Sequence, residues 1–533
     1  MSLIPVALLL AAYAVFVLRR MRRYLHIFQQ EEYDGRNFMR WLFLSKAYDR
    51  RLSALILIVA AVLWGLDGGL PVWSRQLVFA ALFFGFSYLE SDPRKVAKKK
   101  LVMTNRAKRI FWIALVLAFG LFAAVWKSGM DAAWVLAVQL IPALLVIASN
   151  LLRPHEALIQ RKIVNEASAR LAEINPEIVG ITGSFGKTSV KHILGHILEV
   201  NVPTRFTPGS VNTLMGISRV IRENLSPGTH FFLVEMGAYG RGSIATLCRL
   251  TPPHYGIITA LGEAHYERFK TLDAVAHAKF ELAEAVLATP AGKVVVHEDV
   301  LKQDYARSFV EKNRDRFLIC GRRPGADLEI GETQQTPSGV TVMVRWKGES
   351  YKLSAPIFGA AHAGNIALSF AAATMCGIAP DRIVAALRTT PQIAHRLEIK
   401  PRPDGSIYID DAYNSNPEGF IVALDLLNLL GTEKRGRRIL VTPGILELGP
   451  MHDDIHRGLG EKAAEKADVV IVVRADKIAS FVEGFKKRAP EKPSISVESL
   501  NEAKRWLADN KKPNDVVLLE NDLPDVNETK FAV

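Results

Sequence analysis

Cysteine is scarce and scattered. Cys248, Cys320 and Cys376 are the only three in 533 residues. Their isolation excludes a disulfide framework and a cysteine metal site, and points to buried, reduced thiols in a cytosolic domain. Positive charge is missing ahead of the first apolar run: Ile4–Leu18 is followed, not preceded, by Arg19-Arg20-Met21-Arg22-Arg23. That order excludes a cleaved signal peptide and fits an uncleaved anchor. There is no internal repeat, and no low-complexity stretch beyond basic loops. The formal charge of +13 does not make the chain a nucleic-acid binder. Much of it lies beside apolar segments, with nine Lys/Arg in Arg19–Arg51 and eight in Arg94–Arg109.

Long apolar runs fill the first 150 or so residues, and the remainder alternates like a soluble α/β protein; the length suits about three or four domains. Ile4–Leu18, Leu52–Leu66, Gln76–Leu89, Ile110–Trp126 and Ala132–Leu152 are about five candidate spans. The second and third are short for crossing a bilayer and are either two thin spans or one re-entrant hairpin. The loops at 67–75 and 127–131 carry only Arg75 and Lys127. By the positive-inside rule the two basic stretches face the cytoplasm, as does everything after Leu152. Residues 1–152 are therefore expected to form a transmembrane helical domain and 153–176 an amphipathic linker helix.

Glu177–Val200 then reads EIVGITGSFGKTSVKHILGHILEV. A β-branched run ends at Thr182, Gly183-Ser184-Phe185-Gly186 forms a glycine-rich turn, and Val190, Ile193, Leu194, Ile197 and Leu198 share one helical face. This is the pattern strand, phosphate loop, helix. Loop N–H groups and the helix N-terminus suit phosphate oxygens. Lys187 suits the β/γ-phosphates, and the Thr188 hydroxyl suits Mg²⁺. The first glycine of the usual P-loop is replaced by Ile181. Downstream, Phe231–Met236, Tyr255–Ala260 and Lys293–His297 read as buried parallel strands. Val340–Leu353 reads as an antiparallel pair turning at Lys347-Gly348, and Asn365–Cys376 as an alanine-rich helix. Ser406–Ile409, Arg438–Val441 and Val469–Val473, separated by helical stretches, predict a second open α/β sheet. The boundary falls near Pro391–Arg396, giving a central domain 177–394 and a C-terminal domain 395–533.

Thr182-Gly183-Ser184-Phe185-Gly186-Lys187-Thr188 resembles the phosphate loop of the Mur ligases. Further blocks match that family in order: Val234-Glu235-Met236-Gly237, Gly262-Glu263-Ala264-His265, Ala278-Lys279-Phe280-Glu281, Asn365, His395-Arg396-Leu397-Glu398, Asp410-Asp411-Ala412-Tyr413-Asn414-Ser415-Asn416-Pro417 and Leu446-Glu447-Leu448-Gly449. The last two, with His456, look most like the branch that adds D-alanyl-D-alanine to a UDP-muramoyl tripeptide. The resemblance covers about residues 175–525. It implies a P-loop-type central domain and a Rossmann-like C-terminal domain. It implies that a carboxylate takes the γ-phosphate of ATP and that an amine attacks the acyl phosphate.

The same resemblance implies roles for single residues. Gly183, Ser184, Gly186, Lys187, Thr188 and Ser189 would hold phosphate. Thr188, Glu235, His265 and a carbamylated Lys279 would hold Mg²⁺. Asn365 would meet the adenine, and Arg396, Asp411 and Asn414 would close on the nucleotide. Lys187, Lys279 and His265 would be the catalytic set. Each also has an ordinary reading as a cap, a loop residue or an ion pair, against which the shared order of the blocks argues.

Three departures touch the substrates. Membrane segments stand where the family has a soluble UDP-binding domain. Ser210, Thr213 and Leu214 replace the usual residues of a threonine–glycine–asparagine loop. Leu518-Leu519-Glu520-Asn521-Asp522 lacks a lysine–glycine–serine pattern. The expected function is an ATP- and Mg²⁺-dependent amide ligase of cell-wall precursor synthesis, embedded in membrane lipid with cytoplasmic catalytic domains. It would join a muramoyl-peptide to an amino acid or dipeptide amine. The alternatives are a membrane ligase or amidating enzyme acting on a lipid-linked or polymeric carboxylate, and a non-catalytic cell-wall scaffold.

Overall fold

The computed structural model describes residues 3–66, 71–90, 100–238, 240–262, 271–360, 362–412, 416–445 and 448–521. The chain divides into two compact units, Met1–Ile159 and Gln160–Asp522, with the division inside the helix Ile141–Ile174.

The first unit is helical. Among the described residues, three helices are long and apolar enough to cross a membrane: Ile4–Gln30, Val72–Leu89 and Asn105–Ser128. A fourth candidate is the pair Asp131–Gln139 and Ile141–Ile174, bent by 52°. Arg51–Gly65 is apolar but has 15 residues, a helix of about 22 Å against a hydrocarbon core of about 30 Å. Where the sequence suggests a span ending at Leu152 and a separate linker helix, Ile141–Ile174 runs on through Pro154. Aromatic rings fill the core: Trp134 lies 5.2 Å from Phe122, 5.7 Å from Phe83 and 5.9 Å from Phe79, centroid to centroid. Charge is buried there as a closed network. Arg20 bonds Asp49 at 2.8 Å and Glu90 at 2.5 Å, and Arg23 takes the other Glu90 oxygen at 2.7 Å. Buried ions persist only with such pairing.

The second unit holds two sheets. The larger has nine strands in the order β2-β3-β1-β4-β5-β6-β7-β8-β9. Its β1 (Glu177–Thr182), β2 (Thr204–Phe206), β3 (Phe231–Glu235), β4 (Tyr255–Ile258), β5 (Lys293–His297) and β6 (Phe317–Gly321) are parallel. β7 (Leu328–Thr336), β8 (Gly339–Trp346) and β9 (Glu349–Ala355) extend it as an antiparallel meander. Lys347 and Gly348, both at positive φ, make the β8–β9 turn at the predicted place; such two-residue turns match the twist of the strands. The helix Lys187–Asn201 buries Val190, Ile193, Leu194, Ile197 and Leu198 with Ile366, Phe370 and the alanines of His362–Met375. On the opposite face, Ile178, Phe232 and Val234 pack with Ile217, Val275 and Leu282.

The smaller sheet has the order β10-β11-β15-β12-β13-β14, in which β10 (Glu398–Pro401) is antiparallel to β11 (Ile407–Asp411). The other strands are β12 (Arg438–Thr442), β13 (Val469–Val473), β14 (Ser494–Val497) and β15 (Val516–Glu520), all running parallel to β11. In the larger sheet β1 sits between β3 and β4; the chain leaves β1 toward β2 on one side, whereas β4 leads on to β5 on the other. The carboxyl end of β1 is thus a topological switch point, where open α/β sheets bind ligands.

Candidate active site

The loop after β1 is shaped by two glycines that admit no side chain. Gly183 has φ +146°, and a Cβ there would lie 2.0 Å from Thr259 Oγ1. Gly186 has φ +81°, and a Cβ there would lie 2.6 Å from Asn365 Oδ1. Ser184 pins the loop to the end of β4: its N–H donates to the Ala260 carbonyl at 2.7 Å, and its hydroxyl bonds Gly262 at 3.1 Å. Gly186 is the N-cap of the helix that begins at Lys187, so the free N–H groups of the first turn open onto the loop.

Lys187 curls back over this loop, donating to the Gly183 carbonyl at 2.7 Å and the Ser184 carbonyl at 3.1 Å. Burial lowers its pKa to about 8, with the Arg396 charge acting the same way and Glu235 against them. Ser189 is buried in the first helical turn. Thr188 Oγ1 donates to Glu235 Oε2 at 3.0 Å. Glu235 ends β3 beside Ile181 and is 1% exposed. Its Oε2 also accepts from Lys191 at 3.0 Å, and its Oε1 accepts from Asn212 at 3.2 Å. A buried carboxylate beside a hydroxyl is a hard-oxygen donor set that fits Mg²⁺.

Lys279, on the helix Leu272–Leu287, is 4% exposed and has no hydrogen-bond partner among the described residues. Burial, then the Lys187 charge, push its pKa well below the usual lysine range. Glu281 is engaged elsewhere, accepting from the N–H groups of Gly242 and Ala245. Asn365 bonds His362 Nδ1 at 3.2 Å, and its Oδ1 faces Gly186.

From the bend before β10, Arg396 lies close enough to perturb Lys187, His362 and Asp411. Asp411 accepts the Leu397 N–H at 3.2 Å. Burial raises its pKa to about 6, against the pull of Arg396. His395, Glu398 and Asp410 form a tight cluster. The Lys400 ammonium already bridges Asp410 at 2.5 Å and Glu398 at 3.0 Å, so the cluster has its cation. His265 and Asn414, expected at the site, lie outside the described residues. Thus the structure gathers Gly183, Ser184, Gly186, Lys187, Thr188, Ser189, Glu235 and Asn365 around one loop, with Lys279 and Arg396 within electrostatic reach. Sequence reasoning missed Lys191. The available signal was its spacing, one helical turn after Lys187 on the same face.

Residues 181–373 match the Mur ligase middle domain, and residues 395–520 the Mur ligase glutamate ligase domain. The UDP-N-acetylmuramoyl-tripeptide–D-alanyl-D-alanine ligase of Bacillus subtilis is 26% identical over 331 residues, 62% of this chain and 69% of that protein. The ligase of the same name from Mycobacterium tuberculosis is 28% identical over 287 residues, 52% of this chain and 54% of that protein. The chain therefore spans about half the length of its mycobacterial relatives. Among solved structures, MurF from Acinetobacter baumannii aligns with a TM-score of 0.58 at 23% identity, over 69% of this chain and 78% of that one. MurF from Thermotoga maritima in complex with ADP aligns with a TM-score of 0.57 at 23% identity, over 70% of this chain and 82% of that one.

Proposed function

We propose that this chain, which belongs to the Mur ligase family by its middle and glutamate ligase domains, is an ATP-dependent ligase that joins a muramoyl-peptide carboxylate to an amine. The observation that carries this reading is the Thr188–Glu235 contact of 3.0 Å at the mouth of a glycine loop holding a half-buried lysine. That arrangement serves phosphoryl transfer, where the protein's work is alignment and charge neutralisation.

In this reading a substrate carboxylate oxygen attacks the γ-phosphorus of ATP and ADP leaves. The amine nitrogen then attacks the acyl carbon, inorganic phosphate leaves, and the nitrogen loses a proton. Lys187 leaves its loop carbonyls for the phosphate oxygens. The loop N–H groups orient the phosphate chain, and Asn365 and Arg396 border it. Thr188 and Glu235, with His265 and a carbamate on Lys279, would hold Mg²⁺, which supplies positive charge to the phosphoryl oxygens. The buried Lys279 suits carbamylation, because a neutral amine is the form that attacks carbon dioxide. The D-alanyl-D-alanine-adding activity named for the relatives is the leading candidate for the pair of substrates.

A second reading, a lipid-linked acceptor, is favoured by the three helices apolar enough to cross a membrane. The chain would then be a multi-pass membrane protein with cytoplasmic catalytic domains. The test offers full-length protein ATP, UDP-linked or lipid-linked muramoyl peptides and a panel of amines, and follows products by mass. A mass gain of peptide plus amine with ADP release supports the ligase. ATP binding without any amide product across the panel overturns it in favour of a scaffold.

A further inference from the structure

Resting on the ligase reading of this site, we propose that Lys191 is a positioning residue that ties the Pro208–Thr213 loop to Glu235 and sets how tightly a divalent cation binds there. Its side chain is fully buried, and its Nζ donates to Glu235 Oε2 at 3.0 Å and to the Gly209 carbonyl. Asn212, from the same loop, donates to the other oxygen of Glu235 at 3.2 Å, and its carbonyl accepts the Gly237 N–H at 3.1 Å. The loop is thus fastened to the end of β3 at two points, and Lys191 joins it to the phosphate-loop helix as well.

Two consequences follow from charge. A buried ammonium needs an anion, and Glu235 is its ion-pair partner. Any divalent cation drawn to Glu235 and Thr188 therefore shares that carboxylate with a fixed positive charge, which weakens its binding. The lysine also keeps Glu235 aimed when the cation is absent, so the loop and the cation site are set together.

The test uses full-length, nucleotide-free protein and Mn²⁺ as the probe, with binding followed by calorimetry. Removing the ammonium in Lys191→Met should tighten Mn²⁺ binding by about tenfold, since a like charge a few ångströms away is lost in a low-dielectric site. Hydrogen exchange of the amides of residues 207–213 should quicken in the same protein. Lys191→Arg, which keeps the charge, should stay near wild-type Mn²⁺ affinity. If Lys191→Met fails to fold, Lys191→Gln makes the same comparison and keeps a donor for the Gly209 carbonyl. In turnover, the KM of the carboxylate substrate should rise while ATP affinity holds. Unchanged or weaker Mn²⁺ binding in a folded, neutral variant overturns the proposal and leaves Lys191 a packing residue. The Mn²⁺ and exchange readouts need no substrate, so they stand apart from the ligase reading. That reading fails separately if wild-type protein forms no amide.

Discussion

Asp411, at the end of β11, lies in register with Glu520, at the end of β15. Burial, chiefly, raises the Asp411 pKa from 3.8 to about 6. Between those values the folded state holds more protons than the unfolded chain, so this group's contribution to stability falls as pH rises through that window and is constant above it. Melting temperature should be compared for wild type and Asp411→Asn from pH 4 to 8. The variant should gain on wild type as pH rises to about 6, then run parallel. An offset independent of pH would rule the linkage out.

Lys187 gives the opposite sign. Its pKa is lowered from 10.5 to about 8. The folded protein therefore binds fewer protons than the unfolded chain between those values, and stability from this group rises with pH across them. Phosphate oxygens favour the charged lysine, so nucleotide binding near pH 8.5 should take up protons. Calorimetry in buffers of different ionisation heat would show uptake there, none near pH 6.5, and none in Lys187→Met. Lys187→Ala should lower ATP-dependent turnover by roughly a thousandfold while the fold persists. Near-normal turnover in that variant would sink the phosphate-loop assignment.

What was legible in the sequence was local. β5 and β13 fall on their predicted runs, Lys293–His297 and Val469–Val473, because strands covered on both faces read as unbroken apolar stretches. The phosphate-loop helix was legible from its period and its glycines. β7 was not: LEIGETQQT is mostly polar, and its pairing with β8 shifts between Ile330 and Thr333. β2 is three residues long and had no pattern to offer. The Lys191–Glu235 pair was illegible for another reason. It joins residues 44 apart through the register of β1 on β3, which is decided by the whole sheet.

Gly186→Ala tests the loop shape. The residue sits at φ +81°, and a methyl group would come within 2.6 Å of Asn365 Oδ1. The left-handed backbone alone costs roughly 1–2 kcal/mol for a non-glycine residue. Nucleotide affinity should fall by at least about tenfold on that strain. Adding Asn365→Ala removes the clash but leaves the backbone strain, so recovery should be partial. Full affinity in the single variant would mean that the loop is not a phosphate cradle.

Lys279→Ala should be inactive and partly rescued by acetate, a small carboxylate that fits the space of a carbamate. Lys279→Glu reaches less far and should rescue less. Stripping carbon dioxide from wild-type protein should lower activity, and bicarbonate should restore it. The side chain is buried and its pKa is pushed well down by that burial, which favours the reactive neutral amine over the ammonium relative to an ordinary lysine. Wild-type activity in Lys279→Ala would exclude the carbamate.

The helical unit raises the last question, whether it anchors or also binds substrate. One span suffices to tether a protein, yet three helices are long and apolar enough to cross, and a bent pair makes a fourth. Extra spans call for a role beyond tethering, and a lipid-linked acceptor at the cytoplasmic face supplies one. The basic stretches Arg19–Arg51 and Arg94–Arg109 would lie at that face, where anionic head groups or a pyrophosphate linkage are attracted. The competing view is that these bases only fix orientation. A truncated chain starting near Arg153 separates the two. It keeps β1, the phosphate loop and both sheets, and it places Pro154 at the start of the remaining helix, where proline is well tolerated. Nucleotide binding should therefore survive under both views. If the helices hold the acceptor, activity on a lipid-linked acceptor should fall far more than activity on a soluble muramoyl peptide, in the same detergent. Equal activity of truncated and full-length protein on the lipid-linked acceptor would reduce the helical unit to an anchor.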